Sequence, residues 1–388
     1  MHGKLEKNMI RLLTIIGARP QIIKAAAISR AVREKFAGQV EEHILHTGQH
    51  YDANMSEVFF RELGIPEPDY NLHVGSGSHG VQTARIIEGI EAVLTEQHYD
   101  GVIVYGDTNS TLAAAVAASK IHVPVFHVEA GLRSFNMGMP EEINRIVCDQ
   151  LSSVLFTPTL TGLRNLEAEG FSSIKGRVRF ADGRGQRVVL SGDVMYDNSM
   201  YFSAMADVQS DIIERQGLRY RQFVLATIHR PANTDNAENL RSIFRALNDI
   251  AEQHQMDVVL PLHPRTRKMI GDLRLEIGDL SDRIRIIEPA SFFEIIRLEK
   301  NAAIVMTDSG GVQKEAFFYG TPCVILRPET EWVEIVEAGA GIIADANYER
   351  IMAAYEALVN KPVQFPALFG DGKASEKIIG EIMNYLDV

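Results

Sequence analysis

Gly101-Val-Ile-Val-Tyr-Gly-Asp-Thr-Asn-Ser-Thr111 decides the fold: an apolar run of strand length passes straight into a glycine, an acid and a polar segment suited to starting a helix. Working outward, Val123-Pro-Val-Phe-His-Val128 leads into Glu129-Ala-Gly-Leu-Arg133, and Met139-Pro-Glu-Glu142 opens another helix. Short Val/Ile/Leu runs alternating with longer amphipathic stretches are the mark of βαβ units and a mainly parallel sheet. The pattern occurs twice. Strands are expected near 10–16, 42–46, 101–105, 123–127, 153–156 and 188–190, then near 223–227, 257–261, 284–287, 303–307, 322–326 and 341–343. The boundary between two α/β domains is placed after Gly192-Asp193, giving 1–195 and 196–368, with a last helix over 374–386, inside a closing segment 369–388, that returns to the first domain.

Composition fits that division. A chain of 388 residues with 46% hydrophobic content is long enough to bury two cores. A net charge of -12 would repel nucleic-acid phosphates, although a few arginines can still make one pocket positive for a nucleotide. Cys148 and Cys323 give neither metal spacing nor a disulfide framework, which suits a reducing cytoplasm. Residues 1–9 are too polar for a signal peptide and no apolar run reaches membrane-spanning length, so no membrane insertion is expected. The Gly/Arg-rich stretch 175–187 reads as a solvated loop or small hairpin.

Acids at strand ends stand where ligands bind in parallel α/β sheets, and Asp107, Glu129 and Glu141 are candidates for proton transfer at carbon. Each has a plainer role open to it. Asp107 can cap the following helix, while Glu141 suits the positive end of a helix dipole and stands four residues before Arg145, a pairing distance. Glu129, in a glycine-containing turn, has no such cap role. Gly17-Ala-Arg-Pro-Gln-Ile-Ile-Lys24 follows the first strand; its glycine and helix start offer amides to an anion, with Arg19 and Lys24 adding charge, or else form a tight turn with solvated cations. Thr307-Asp-Ser-Gly-Gly-Val-Gln-Lys-Glu315 repeats the device: Ser309, Gly310 and Gly311 can face a diphosphate and Glu315 a ribose hydroxyl, or the pair is a plain Gly-Gly turn. His229, just past a strand in Ala226-Thr-Ile-His-Arg-Pro231, is placed to meet a phosphate or sugar, with His263 a lesser companion.

Two tempting motifs fail. Gly75-Ser-Gly-Ser-His-Gly80 matches G-x-G-x-x-G but follows a weak strand, Asn71-Leu-His-Val74, that does not begin a βαβ unit, and no tyrosine has a lysine four residues on; nicotinamide binding is not expected. His127 and Glu129 lie two apart, yet no H-E-x-x-H or other ligand spacing supports a metal.

Gly17-Ala-Arg-Pro20, Tyr105-Gly-Asp-Thr108, His127-Val-Glu-Ala-Gly-Leu-Arg133, Pro140-Glu-Glu-Ile-Asn-Arg145, Thr227-Ile-His-Arg230 and Asp308-Ser-Gly-Gly311 together resemble the signature set of the non-hydrolysing UDP-N-acetylglucosamine 2-epimerases. The resemblance implies two Rossmann-like domains in the GT-B architecture with the active site in the interdomain cleft, a homodimer, no cofactor and no required metal. It also implies interconversion of UDP-GlcNAc and UDP-ManNAc for surface polysaccharides, by anti elimination of UDP to a 2-acetamidoglucal and readdition. Asp107, Glu129, Glu141 and His229 match the family's catalytic residues. Arg19, Lys24, Arg145, His263, Ser309, Gly310, Gly311, Glu315 and Arg327 fall in its substrate-binding set, and Gln49, His50 and Arg85 match a regulatory pocket from which Tyr51 and Asp52 depart. Ala18, Gln21 and Trp332, where the family typically has threonine, glutamate and arginine, are similar to the branch acting on UDP-2,3-diacetamido-2,3-dideoxy-glucuronate, which is the alternative substrate. A hydrolysing epimerase and a GT-B glycosyltransferase would share the UDP site.

Overall fold

The computed structural model describes residues 9–49, 64–171, 183–262, 280–359 and 361–387. In chain order the elements are β1 (Ile10–Ile16), α1 (Arg19–Lys35), β2 (Val40–His46), β3 (Tyr70–Asn71), α2 (His79–Glu96), β4 (Gly101–Tyr105), α3 (Asn109–Lys120), β5 (Val125–Val128), α4 (Pro140–Leu151), β6 (Val154–Thr157), α5 (Leu160–Ala168), β7 (Arg187–Leu190) and α6 (Val194–Gln209). They continue as α7 (Ile212–Arg215), β8 (Phe223–Thr227), α8 (Pro231–Thr234), α9 (Ala237–Gln253), β9 (Asp257–Pro261), β10 (Ile284–Ile287), α10 (Phe292–Asn301), β11 (Ile304–Thr307), α11 (Gly310–Phe318), β12 (Cys323–Ile325), α12 (Val333–Glu337), β13 (Gly341–Ile343), α13 (Tyr348–Val359) and α14 (Ala374–Leu386). Two compact units result: Met1–Asn198 with Leu368–Val388, and Ser199–Ala367.

In the first unit the described strands form one parallel sheet in the order β3-β2-β1-β4-β5-β6-β7. Leu12, Leu13, Ile15 and Ile16 of β1 are all fully buried, because helices cover both faces of the sheet and the strand is apolar throughout rather than alternating. β5 starts two residues later than the apolar run suggests, at Val125: Pro124 has no N–H to give the ladder and contributes only its carbonyl, to Val102 N (2.8 Å). α14 is held in this unit by Asp197, whose carboxylate accepts the free amides of Ala374 (3.0 Å) and Ser375 (2.8 Å) at the helix start.

The second unit repeats the plan with β10-β9-β8-β11-β12-β13, again parallel. One face of its sheet packs Ala226, Leu260 and Met306 against Leu240, Phe244 and Leu247 of α9 and Ile351 and Tyr355 of α13. In both sheets the order reverses direction once, between β1 and β4 in the first and between β8 and β11 in the second. At such a switch point the loops after the two strands run to opposite faces and leave a crevice, which is where α/β sheets bind ligands.

Candidate active site

At the switch point of the first unit, the turn after β1 meets the turn after β4. A Cβ on Gly17 would lie 2.2 Å from both Ser110 Oγ and Thr47 Oγ1, so this glycine is required by close packing inside the chain. Nor are its amides open to an anion. Gly17 N (2.9 Å) and Ala18 N (3.2 Å) both donate to Gln21 Oε1, while Gln21 Nε2 donates to Tyr105 O and Thr111 Oγ1, each at 3.0 Å. The expectation that this turn offers backbone donors to a phosphate is therefore corrected: the amide of Gln21 consumes them. Arg19 is exposed on the first turn of α1, and Lys24 lies one helical turn further on.

Lys24 Nζ forms an ion pair with Glu129 Oε2. Glu129 sits just beyond β5 with φ of 71°, a left-handed conformation that costs a non-glycine residue about 1–2 kcal/mol. Asp107, just beyond β4, does not cap α3; Thr108 does, its side chain accepting from Thr111 N (3.3 Å). The Asp107 carboxylate is thereby released to bind Arg145 Nη1, while its carbonyl accepts from Asn144 Nδ2 (2.8 Å). Burial pushes the Asp107 carboxyl up from the usual range; Arg145 and Lys24 pull it back, Glu129 and Glu141 push it further up, and the result lies above the ordinary value.

Arg145 turns to Glu142, three residues before it, at 2.7 Å, and to Asp107, so the expected pairing with Glu141 is not made. Glu142 also accepts from Ser134 N (2.9 Å), Ser134 Oγ (3.0 Å) and Phe135 N (2.9 Å). Burial acts to raise its carboxyl, but these donors and Arg145 hold it below the usual range. Glu141 stands exposed on the first turn of α4, where the helix dipole favours an acid. Glu142 was legible only as the second acid of Pro140-Glu-Glu142; which of two adjacent acids turns inward depends on helix phase.

At the switch point of the second unit, the turn after β8 meets the turn after β11. Asp308 is fully buried and accepts from His229 N (3.1 Å), Arg230 N (3.1 Å) and Asn233 Nδ2 (3.1 Å), while His229 Nδ1 lies 3.1 Å from its Oδ1. Burial pushes the Asp308 carboxyl up, but the His229 ring and the backbone donors hold it below the usual range. Because Nδ1 donates to this carboxylate, Nε2 of the half-exposed imidazole faces away from it. Ser309 caps α11, accepting from Val312 N. Gly310 and Gly311 occupy its first turn, where amides lack partners within the helix. A Cβ on Gly310 would approach nothing nearer than Glu331 Oε2 at 3.4 Å, and one on Gly311 nothing nearer than Ser309 Oγ at 3.8 Å. The fold itself does not need either glycine.

Other expected site residues fall around these turns. Arg327 forks onto Glu331 (3.0 and 3.1 Å), Glu315 lies on α11, and Lys314 Nζ sits 4.0 Å over the buried Trp332 ring. Gln49 is buried and accepts from Ser110 N (3.0 Å) and Oγ (2.6 Å), and Arg85 is exposed on α2. His50, Tyr51, Asp52, His263, most of the 175–187 loop and residues 1–8 lie outside the described residues. Among the described residues no cluster of three or more His, Cys, Asp or Glu side chains could hold a metal ion, and no helix is long and apolar enough to cross a membrane.

A family model described as UDP-N-acetylglucosamine 2-epimerase matches residues 33–383. The chain is 47% identical over 370 residues to the UDP-2,3-diacetamido-2,3-dideoxy-D-glucuronate 2-epimerase of Pseudomonas aeruginosa, covering 95% of this chain and 98% of that protein. It is 39% identical over 379 residues to the UDP-N-acetylglucosamine 2-epimerase of Methanocaldococcus jannaschii, covering 97% and 99%. A crystal structure of the Methanocaldococcus jannaschii UDP-GlcNAc 2-epimerase in complex with UDP-GlcNAc and UDP superposes with a TM-score of 0.82 at 38% identity, over 97% of this chain and 100% of that one.

Proposed function

This chain belongs to the UDP-N-acetylglucosamine 2-epimerase family, and from that premise we propose that it is a non-hydrolysing UDP-sugar 2-epimerase whose proton chemistry is carried by Asp107 and Glu129. The observation that carries the reading is the pair of carboxylates at the ends of adjacent strands β4 and β5, each joined to its own cation, Arg145 or Lys24. Inversion at C2 of a 2-acetamido sugar must move one proton between two faces of a carbon that no carbonyl activates. Abstraction is therefore coupled to departure of the leaving group. The C2–H pair becomes the C1=C2 bond of a 2-acetamidoglucal, and the C1–O pair leaves with UDP. Return of a UDP oxygen to C1 and of a proton to the other face of C2 completes the inversion, with Glu141 available as a third acid.

A nucleoside diphosphate leaving group asks for donors that hold its charge without reorganising. The open amides of Gly310 and Gly311, the Ser309 hydroxyl and the His229 ring suit that need, and Glu315 suits a ribose hydroxyl. Arg19 and Lys24 would add positive charge, and Arg327 and His263 complete the proposed binding set. Assembly as a homodimer in the cytoplasm belongs to the same proposal.

For the sugar itself, UDP-GlcNAc with UDP-ManNAc is one pair. The diacetamido-glucuronate substrate is favoured by the 47% relative and by Gln21 and Trp332, which replace residues typical of the UDP-GlcNAc enzymes. Incubation with each UDP-sugar separately, followed by NMR identification of products, tests both. A UDP-linked C2 epimer from the diacetamido-glucuronate at a kcat/KM well above that for UDP-GlcNAc supports the preferred substrate; the reverse ranking assigns UDP-GlcNAc, and free sugar from either removes the non-hydrolysing reaction.

A further inference from the structure

We infer that His127 is a positioning residue for this reaction: a buried imidazolium that ties the Gly106–Asp107 peptide to β5 and so sets Asp107 against Glu129. The inference rests on the reading above that these two carboxylates handle the C2 proton. In the sequence His127 opens the His127-Val-Glu129 run and lacks metal-ligand spacing, and nothing there assigns it a role of its own.

His127 lies on β5, and both its side chain and that of Asp149 are fully buried. Its ring nitrogens meet two acceptors: Nδ1 lies 2.7 Å from Asp149 Oδ1, and Nε2 lies 2.8 Å from the Gly106 carbonyl oxygen. A carbonyl cannot donate. Asp149 is a carboxylate, because it also takes Arg133 Nη1 at 2.8 Å and the Gly131 amide at 3.2 Å. Two acceptors require two ring protons, so the ring carries a positive charge. Burial opposes that charge, but the groups facing the ring from α4, Cys148 and Asp149, outweigh it and keep the imidazole protonated well above its ordinary pKa.

The consequence falls on the peptide before Asp107. Gly106 has φ of 60°, which turns its carbonyl to the ring, and its own N–H donates to Val128 O (3.0 Å). Both backbone groups of Gly106 are thus fastened to β5, at Val128 and His127, the two residues immediately before Glu129. Asp107 and Glu129 therefore move as one piece. On the far side of Asp107, Asn144 holds the carbonyl and Arg145 the carboxylate, both from α4, the helix whose first turn carries Glu141. The charged ring leaves one bond at each end, to the acid-bearing turn and to the Asp149 anchor, and each can be removed separately.

A glutamine at 127 can present an amide donor near the Nε2 position, whereas an asparagine places its donor near Nδ1. His127→Gln keeps the tie to Gly106, and His127→Asn keeps only the one to Asp149. With thermal stability and UDP affinity measured in parallel, His127→Asn should lower kcat about 100-fold, the effect of misplacing a catalytic group by about 1 Å, while His127→Gln retains most of it and KM is unchanged in both. Equal losses in the two variants, or a loss confined to KM, overturn the inference. Should neither variant fold, the wild-type protein labelled with 15N-histidine decides: a buried ring with both nitrogens protonated at pH 8 supports it, and one unprotonated ring nitrogen overturns it. A wild-type protein that exchanges no C2 proton sinks the functional reading and this inference together, whereas exchange by the wild type with equal variants sinks the inference alone.

Discussion

Two strand–glycine–helix turns look alike in the sequence and do opposite things. After β1, Gly17 is squeezed between Ser110 and Thr47, and Gln21 takes the amides of Gly17 and Ala18. After β11, Gly310 and Gly311 fill no tight gap, and their amides, unlike that of Val312, are not taken by the Ser309 cap. The acids differ in the same sense. In the first unit the half-buried Asp107 and the buried Glu129 are each paired with a cation side chain; in the second, Asp308 is fully buried and held by His229 and the backbone. The first switch point presents carboxylates and suits proton transfer, while the second presents donors and suits a diphosphate. A glycine at a strand end signals a close approach, and only the structure tells whether chain or ligand makes it.

The largest expected effect separates chemistry from binding. Asp107→Asn or Glu129→Gln should lower kcat by about a thousandfold, within the range for general acid–base groups, with UDP affinity by calorimetry nearly unchanged. Near-normal turnover in both would remove the acids from the mechanism and collapse the contrast. Next come the glycines themselves. Gly17→Ala overpacks the turn and should cost about 1–3 kcal/mol in chemical denaturation. Gly310→Ala should leave the melting temperature unchanged or raise it, since alanine is the better helix former, and yet weaken UDP binding. Equal stability losses at the two positions would show that both turns are merely structural.

A smaller effect is expected at Asp308. Its carboxyl is held below the usual range, so the stability it contributes is present above the unfolded carboxylate pKa and is lost as pH falls through the depressed folded value. Asp308→Asn should flatten that acid slope in pH-dependent unfolding and lower UDP affinity by freeing the His229 ring. The smallest effect is a shift in a pH profile. Asp107 is raised, so the acid limb of kcat/KM should lie above the ordinary carboxylate range, and Arg145→Gln, which removes a cation that pulls it down, should move the limb to higher pH. A limb that stays put would detach Asp107 from Arg145.

The fold was legible because burial on both sheet faces leaves strands as unbroken apolar runs: 10–16, 101–105 and 223–227 were expected as they occur, as was the helix over 374–386. The edge strand β3 was legible only in part: a weak strand was expected over 71–74, but the structure has it at Tyr70–Asn71, since so short an edge carries too little pattern to fix its ends. Around the candidate site, motifs brought Asp107, Glu129, His229 and Ser309 into view, because a strand end is visible from local sequence. Their supports were hidden. Asp149 reaching His127 and Glu142 folding back on Ser134 span 22 and 8 residues, and Thr108 displacing Asp107 as the cap turns on one dihedral choice. Such partners belong to tertiary geometry rather than to spacing.

The central claim is that one proton leaves and returns at C2 while UDP departs and comes back. It is tested most directly by incubating the protein with its UDP-sugar in D2O and following C2 by proton NMR. Deuterium entering C2 of both epimers, with UDP still attached, is the predicted result. Epimers that form with C2 fully protonated, or no exchange with either UDP-sugar, would contradict it.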